Sequence, residues 1–319
     1  MKNKGKENQL EISIKCQAEK SGIKKVLVAL SGGPDSVSLA FALKKANFDI
    51  IALHCNFHLR GEESDRDCDF VKRFCRSHSI PLKVMDFNVK DYRESHQGES
   101  IEMACRNLRY EWFDKELRET GYDRIVTGHN EDDNIETFLL NMLRGSGTRG
   151  LKGMLTDNGK IWRPLLSFNR IFILCYLQRN NLSYVIDSTN LKSDYRRNFL
   201  RNEIIPLLKK EWKGFDTAMH RTISNLQAEN KVVEHYVKEQ LNGTDNELEV
   251  NKILDFPSPL LLIKRFIDKL EPFTTTPDEV LSAIKANKPH IRRWRLKRGA
   301  LILRNGKLLI EISHGKGSS

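Results

Sequence analysis

No segment of the 319-residue sequence approaches the roughly 18 consecutive apolar residues that a membrane helix needs. The opening residues, Met1 to Asn8, are polar and lysine-rich, without the apolar stretch of a secretory signal. The expectation is therefore a cytosolic protein with no membrane partner. None of the six cysteines (Cys16, Cys55, Cys68, Cys75, Cys105 and Cys175) stands in a CxxC pair. That argues against a zinc ribbon or a thioredoxin-like centre, and outside a secretory context free thiols are expected. The sequence has no GxxxxGK[ST] loop, so no lysine is placed to reach a terminal phosphate in the Walker manner, and it has no GxGxxG dinucleotide fingerprint. Acidic residues are missing from Lys285 to Lys307, a span that carries nine Lys and Arg. Such a span is either a solvated basic face or a phosphate-backbone footprint. The formal net charge of +11 adds only a general attraction for polyanions.

What is present reads as an alternation of strands and helices. The apolar run Lys24–Leu30 predicts a buried parallel strand, and Pro34–Ala46 predicts a helix with proline in its first turn, where no N–H is needed. Strands follow at Phe48–Asn56, Pro81–Phe87 and Arg124–Thr127, with helices at Glu62–Ser79, Ser100–Thr120 and Asp132–Leu143. This is the pattern of an α/β fold, a doubly wound parallel sheet whose ligands bind at the carboxyl ends of the strands. Arg144–Gly153 reads as a mobile loop. Ile161–Pro164, a helix near Asn169–Asn180 and Tyr184–Ile186 complete the first domain, and Pro206 is expected to kink or end a helix over Asn198–Lys210. After Gly214 a long helix leads into a smaller, mainly helical C-terminal domain. Asn305-Gly306 there signals a short β-hairpin. The division expected is residues 1–213 and 214–319.

Ser31-Gly32-Gly33-Pro34-Asp35-Ser36 joins the first strand to the first helix. Two glycines allow a sharp turn and close backbone approach to an anion, and the helix start offers free N–H groups and positive potential. Asp35 beside a phosphate implies a bridging Mg²⁺. Arg106 and Arg109 are three apart, near one helix face. They suit either surface ion pairs or the charge of phosphates. Asp132, Asp133 and Glu136 crowd another helix start. The dipole favours acids there, but such a group could also bind Mg²⁺, hold an ammonium group or take its proton. Asp132 and Glu136, four apart, are expected on one side. His129 suits a phosphate-orienting or a structural role.

The string SGGPDS after VLVAL resembles the PP-loop of the ATP-pyrophosphatases, which split ATP between its α- and β-phosphates and adenylate an oxygen of the substrate. Further strings, in order, resemble those of the tRNA(Ile)-lysidine synthases: HCNFHLRGEES from His54, EMACRNLRYEWF from Glu102, GHNEDDNIET from Gly128 and NMLRGSGTRGLKGM from Asn141. Arg163-Pro164-Leu165-Leu166 and DSTNLKSDYRRNFLR from Asp187 follow. Phe57 before His58, and Cys105 in place of a common alanine, depart from the family's pattern. The likeness covers about residues 24–210. It implies ligation of L-lysine to C2 of the wobble cytidine of the isoleucine tRNA with a CAU anticodon, through an adenylated cytidine, with ATP and Mg²⁺ consumed or bound and with a homodimer as the expected assembly. Longer members carry a further C-terminal domain, which is not expected within these 319 residues.

On that likeness the candidate catalytic residues are Asp35, Asp132, Asp133, Glu136 and Arg109. ATP would be held by Ser31, Gly32, Gly33, Pro34, Asp35, Ser36, His54 and His129. The tRNA would be held by Arg106, Arg144, Arg149, Arg197 and Arg201, and Mg²⁺ by Asp35 and Asp133. Two rival readings are a tRNA thiolase, disfavoured by the lack of paired cysteines, and an inert nucleotide- or tRNA-binding module. The carboxylates argue against the second, since pure binding of two polyanions would not need them.

Overall fold

The computed structural model describes residues 9–96, 98–186, 195–243, 246–268, 270, 276–286, 291–296 and 298–312. It divides into two compact units, Met1–Gln227 and Ala228–Ser319.

The first unit opens with helix α1 (Gln9–Ser21) and then alternates β1 (Lys25–Ala29), α2 (Pro34–Lys45), β2 (Asp49–Asn56), α3 (Glu62–Ser77) and β3 (Leu82–Asp86). After α4 (Val89–Ser95) and α5 (Ile101–Thr120) come β4 (Arg124–Val126), α6 (Glu131–Leu143), α7 (Thr148–Leu151) and β5 (Ile161–Trp162). A 3-10 turn over Pro164–Ser167 leads to α8 (Arg170–Arg179), and the segment from α9 (Tyr195–Phe199) to α10 (Ile205–Glu211) is continuous through a π-helical turn at Leu200–Ile204. Pro206 stands in the first turn of α10. The wider π turn gives up the hydrogen bond a proline cannot make, so the helix does not end at Pro206.

The five strands form one sheet in the order β3-β2-β1-β4-β5, every pair parallel. β1 lies at its centre, and Val26, Leu27 and Val28 are fully buried. That burial on both faces explains an unbroken apolar run instead of an alternating one. From β1 the chain runs outward through β2 to β3, and later through β4 to β5. The carboxyl ends of β1 and β4 therefore flank the switch point at which open sheets of this kind bind ligands. Helices α1, α2 and α8 contribute Leu10, Ile14, Leu39, Leu43, Ile173 and Leu177 to the main core. Trp112 and Phe113 of α5 pack with Leu27, Leu53 and Ile125 in a second cluster. Each such side chain, fully buried, contributes roughly 1.5–3 kcal/mol.

Helix α11 (Phe215–Gln240) starts in the first unit, where Ile223 packs with Ile135 and Leu139. The boundary between the units falls inside this helix. The second unit holds β6 (Glu247–Glu249), α12 (Val250–Asp255), α13 (Pro259–Ile267), α14 (Thr276–Lys285), β7 (Arg292–Leu296), β8 (Gly299–Arg304) and β9 (Lys307–Ile312). The expected hairpin is β8–β9. Asn305 (φ 49°) and Gly306 (φ 72°) give its turn the two left-handed positions that an Asn-Gly pair supplies. It belongs to a larger object than expected, a four-stranded antiparallel sheet in the order β6-β9-β8-β7.

Candidate active site

The phosphate loop is held from within. Ser36 Oγ donates to the Gly33 carbonyl (3.0 Å), accepts from the Ser31 amide (3.2 Å) and lies 3.1 Å from Ser31 Oγ. Gly32 has φ 91°, a conformation that L side chains rarely adopt, and a Cβ there would meet Val71 at 3.3 Å. Gly33 caps α2 with no side-chain hydrogen bond, and Pro34 follows in the first turn. The early amides of α2 are thus left for an anion.

The loop after β4 closes against this one. A Cβ on Gly128 would stand 3.0 Å from the backbone carbon of Asp35 and 3.1 Å from the Ser36 nitrogen, so any larger residue would press the two loops apart by a few tenths of an ångström. Asn130, 1% exposed, ties the two together. Its Nδ2 donates to Asp35 Oδ1 (2.9 Å), while its Oδ1 accepts from the Asp133 amide (3.0 Å). Asp133 Oδ2 in turn accepts from the Asn130 amide (3.1 Å), completing a capping box at the start of α6. Burial pushes the Asp35 carboxyl above its ordinary value. The Asn130 bond opposes the rise, and the neighbouring Asp133 charge reinforces it.

The acidic cluster divides differently from the expected pairing. Asp133 and Glu136, three apart, share Arg201: its Nε and Nη2 grip Glu136 at 2.5 and 2.8 Å, and Nη2 also reaches Asp133 Oδ1 at 3.0 Å. Arg197 Nε lies 3.6 Å from Glu136 Oε2. Burial opposes charge on Arg201, but Glu136 and Asp133 outweigh it and hold the guanidinium above its ordinary value. Asp132 faces elsewhere. It accepts from the Arg170 amide (2.8 Å) and from Lys209 (2.9 Å). Burial works against its charge, but these partners prevail and keep its carboxyl below the ordinary value. About 100° of helical rotation per residue puts Asp132 on a different side from Asp133, and the chain supplied a partner to each.

Two adjoining cavities lie at the switch point. The smaller, about 290 Å³, is lined by Ser31, Gly33, Asp35 and Ser36, by Ala29, Leu30 and Leu53, by Cys55, Arg106, Arg109, Tyr110 and Phe113, and by Thr127, Gly128, His129 and Asp133. The larger, about 670 Å³, shares Ser31, Gly33, Asp35, Cys55, Arg109 and Asp133 and adds Pro34, His54, Arg170 and Arg201. Both sizes are those of small-molecule sites or parts of them. Arg106 stacks on Tyr110 (5.0 Å) and Arg109 on Phe57 (5.5 Å), which holds two exposed cations at the cavity walls. Burial lowers His54, whose Nδ1–H donates to the Leu30 carbonyl at 2.8 Å, and pushes His129 down to about 4. Both imidazoles are therefore neutral near pH 7.

Most of the residues expected around ATP thus converge. Asp132 and Glu136 line neither cavity, and Arg197 and Arg201 turn inward to Glu136. Arg144, exposed, and Arg149, half-buried, stand after α6 and in α7. The stretch expected to be a mobile loop thus contains a short helix. Residues 187–194, including Asp194 of the last family string, lie outside the described residues. Reading of the sequence missed Asn130, Arg170, Tyr110 and the role of Gly128. Gly128 and Asn130 lie within GHNEDDNIET, but nothing local announces a tether to Asp35.

Among the described residues no three His, Cys, Asp or Glu side chains form a group able to hold a metal ion. Asp35 and Asp133 give two carboxylates. That fits Mg²⁺, which characteristically takes one or two carboxylates and completes its shell with substrate phosphates and water.

A phosphate-cradling loop at the switch point of a parallel sheet defines a nucleotide-binding α/β protein. The family profile described as a PP-loop domain matches residues 6–208, and the chain belongs to that ATP-binding family. It is similar to the tRNA(Ile)-lysidine synthase of Parabacteroides distasonis, 39% identical over 264 residues, covering 81% of this chain and 60% of the relative. With the enzyme of the same name from Bacteroides thetaiotaomicron it is 42% identical over 239 residues, covering 74% and 55%. The chain thus spans a little over half the length of these relatives. The U34-tRNA thiolase NcsA of Methanococcus maripaludis shares the fold, with a TM-score of 0.57 at 22% identity over 68% of this chain and 77% of that one.

Proposed function

We propose that this chain carries out ATP-dependent ligation of L-lysine to C2 of the wobble cytidine in the tRNA(Ile) with a CAU anticodon, giving lysidine, AMP and pyrophosphate in the cytoplasm. The observation that carries the reading is the joining of the phosphate loop to the Gly128–Asp133 loop through Asn130 and Asp35 at 2.9 Å, in a chain similar over most of its length to enzymes of that name. The cytosine O2 attacks the α-phosphorus of ATP, and the bond to the β-phosphate oxygen breaks. The lysine ε-amine then attacks C2, the C2–O bond breaks with AMP leaving, and the amine's proton passes to a base.

In this reading the loop amides and Ser31 bind the phosphates, and Arg106 and Arg109 offset charge along the nucleotide. Asp35 and Asp133 would hold Mg²⁺, which would supply charge neutralisation for the pyrophosphate leaving group. Lysine's amine, with an ordinary pKa of ~10.4, needs a carboxylate to accept its proton, and Asp35 and Asp133 are the two acids that line both cavities. Arg144 and Arg149, with the basic C-terminal residues, contact tRNA phosphates. Sulfur transfer is the weaker reading. Cys55 and Cys105, which line the larger cavity, are both pushed up by burial, Cys55 to about 12, so neither is a thiolate near pH 7.

The test is incubation with ATP, Mg²⁺, radiolabelled L-lysine and the CAU transcript. Label should enter the RNA, and should vanish when the wobble cytidine is changed or with Asp35→Ala. AMP and pyrophosphate formed without label in the RNA would leave adenylation standing and overturn lysine as the nucleophile.

A further inference from the structure

We propose that Arg170 is a pyrophosphate-binding residue. On this view its guanidinium, beside Asp35, moves to the β- and γ-phosphate oxygens when ATP binds. This deepens, and rests on, the reading of the loop as an ATP site.

The backbone of Arg170 is fixed at the start of α8. Its amide donates to Asp132 Oδ2 at 2.8 Å, and Asp132 is itself anchored by Lys209 at 2.9 Å. Asn169 caps the helix by accepting from the Phe172 amide at 2.9 Å. The side chain then reaches over the phosphate loop, 135 residues away in sequence, with Nη1 3.5 Å from Asp35 Oδ2. That separation is at the limit of a hydrogen bond, and the Arg170 side chain is 46% exposed and lines the larger cavity. A long, half-exposed pair contributes little to stability. It does keep a planar donor fork beside the loop, suited to binding phosphate oxygens in pairs.

The other cations of the larger cavity are placed differently. Arg201 makes three short bonds to Glu136 and Asp133, and Arg60 is paired with Asp67 at 2.8 Å. Arg109 stacks on Phe57 and is shared with the smaller cavity, which Arg170 does not line. The smaller cavity has the apolar walls, Leu53 and Phe113 among them, that suit a nucleobase. Ser31, Gly33 and Asp35 border both. A triphosphate with its base in the smaller cavity then crosses the loop and presents its β- and γ-phosphates to Arg170.

The experiment is calorimetric titration of wild type, Arg170→Ala and Arg170→Lys with inorganic pyrophosphate, ATP and AMP, each with Mg²⁺. Alanine keeps the amide that Asp132 holds, so the thermal midpoint should stay close to wild type. Arg170→Ala should weaken pyrophosphate and ATP by about tenfold to a hundredfold, the range for a lost charge-assisted hydrogen bond. Arg170→Lys should fall between, and AMP should bind all three proteins alike. Unchanged pyrophosphate and ATP affinity in Arg170→Ala overturns the proposal, and so does an equal loss for AMP. A wild-type chain that binds none of the three ligands overturns the underlying ATP-site reading, a result distinguishable from both.

Discussion

Asn130 and Asp35 stand 95 residues apart in sequence, yet the Asn130 amide donates to the Asp35 carboxylate at 2.9 Å. The orientation of Asn130 is fixed, because its other side-chain atom accepts from the Asp133 amide and must be the oxygen. One buried side chain thus caps α6 and holds the aspartate of the phosphate loop. The two roles separate by substitution. Asn130→Ser keeps a good cap but is too short to reach Asp35, while Asn130→Ala loses both. Chemical unfolding should show Ala about 1 kcal/mol less stable than Ser. ATP affinity should fall in both variants by a similar factor. If Ser binds ATP as wild type does, the bond to Asp35 has no part in binding.

Gly128→Ala tests the closeness of the two loops. The new methyl would stand 3.0–3.2 Å from three atoms of Asp35 and Ser36, two of them backbone. Neither loop can yield without moving the start of α2. The variant should lose about 1–3 kcal/mol of stability, the usual cost of overpacking, and ATP binding measured by calorimetry should weaken by more than that loss explains in protein that remains folded.

The parts of this fold legible in sequence are those set by local pattern. The run Lys24–Leu30 reads as a buried strand, SGGPDS as a turn onto a helix, and Asn305-Gly306 as a hairpin. Helix α1 escaped because its buried stripe is narrow: Leu10, Ile14 and Ala18 recur every four residues among charged neighbours. Strand β6 has three residues, too few to show alternation. Within the site, the convergence of Asp35 and His129 followed from their places after the carboxyl ends of the adjacent strands β1 and β4, whereas Arg106 and Arg109 arrive from inside α5. The partners of Asp132, Glu136 and Arg170 followed from no such place, because each is a side chain from another element at a distance no local pattern encodes. Spacing of four between Asp132 and Glu136 placed them on one side. The actual pairing of Asp133 with Glu136 was decided by where Arg201 arrives.

Acid should weaken the fold through His129. Burial lowers its value from an ordinary 6.5 to about 4. In the unfolded chain this imidazole takes a proton as the pH falls below about 6.5, while the folded protein refuses it until about 4. Stability is therefore lost progressively across that window, by about 1.4 kcal/mol per unit at most. His54 shifts in the same direction. Asp132, held below its ordinary 3.8, adds its loss only at lower pH. Urea midpoints at pH 7, 5.5 and 4.5 should decline for wild type and decline less for His129→Gln. Parallel declines would mean that His129 is solvated and titrates normally.

Glu136 is 1% exposed and receives both donors of the Arg201 fork. Removing the carboxylate leaves Arg201 one third exposed and still bonded to Asp133 at 3.0 Å, so the cost should fall below the roughly 3–5 kcal/mol of a fully buried pair. Glu136→Ala should still unfold at lower denaturant. Replacing both, as Glu136→Leu with Arg201→Met, removes the two charges together and should recover much of the loss. The two outcomes bear on function as well. Arg201 also holds Asp133 Oδ1, which lines both cavities. A double variant that regains stability but not AMP formation would show that the pair serves the reaction by orienting Asp133. One that regains both would show that Glu136 and Arg201 only build the wall.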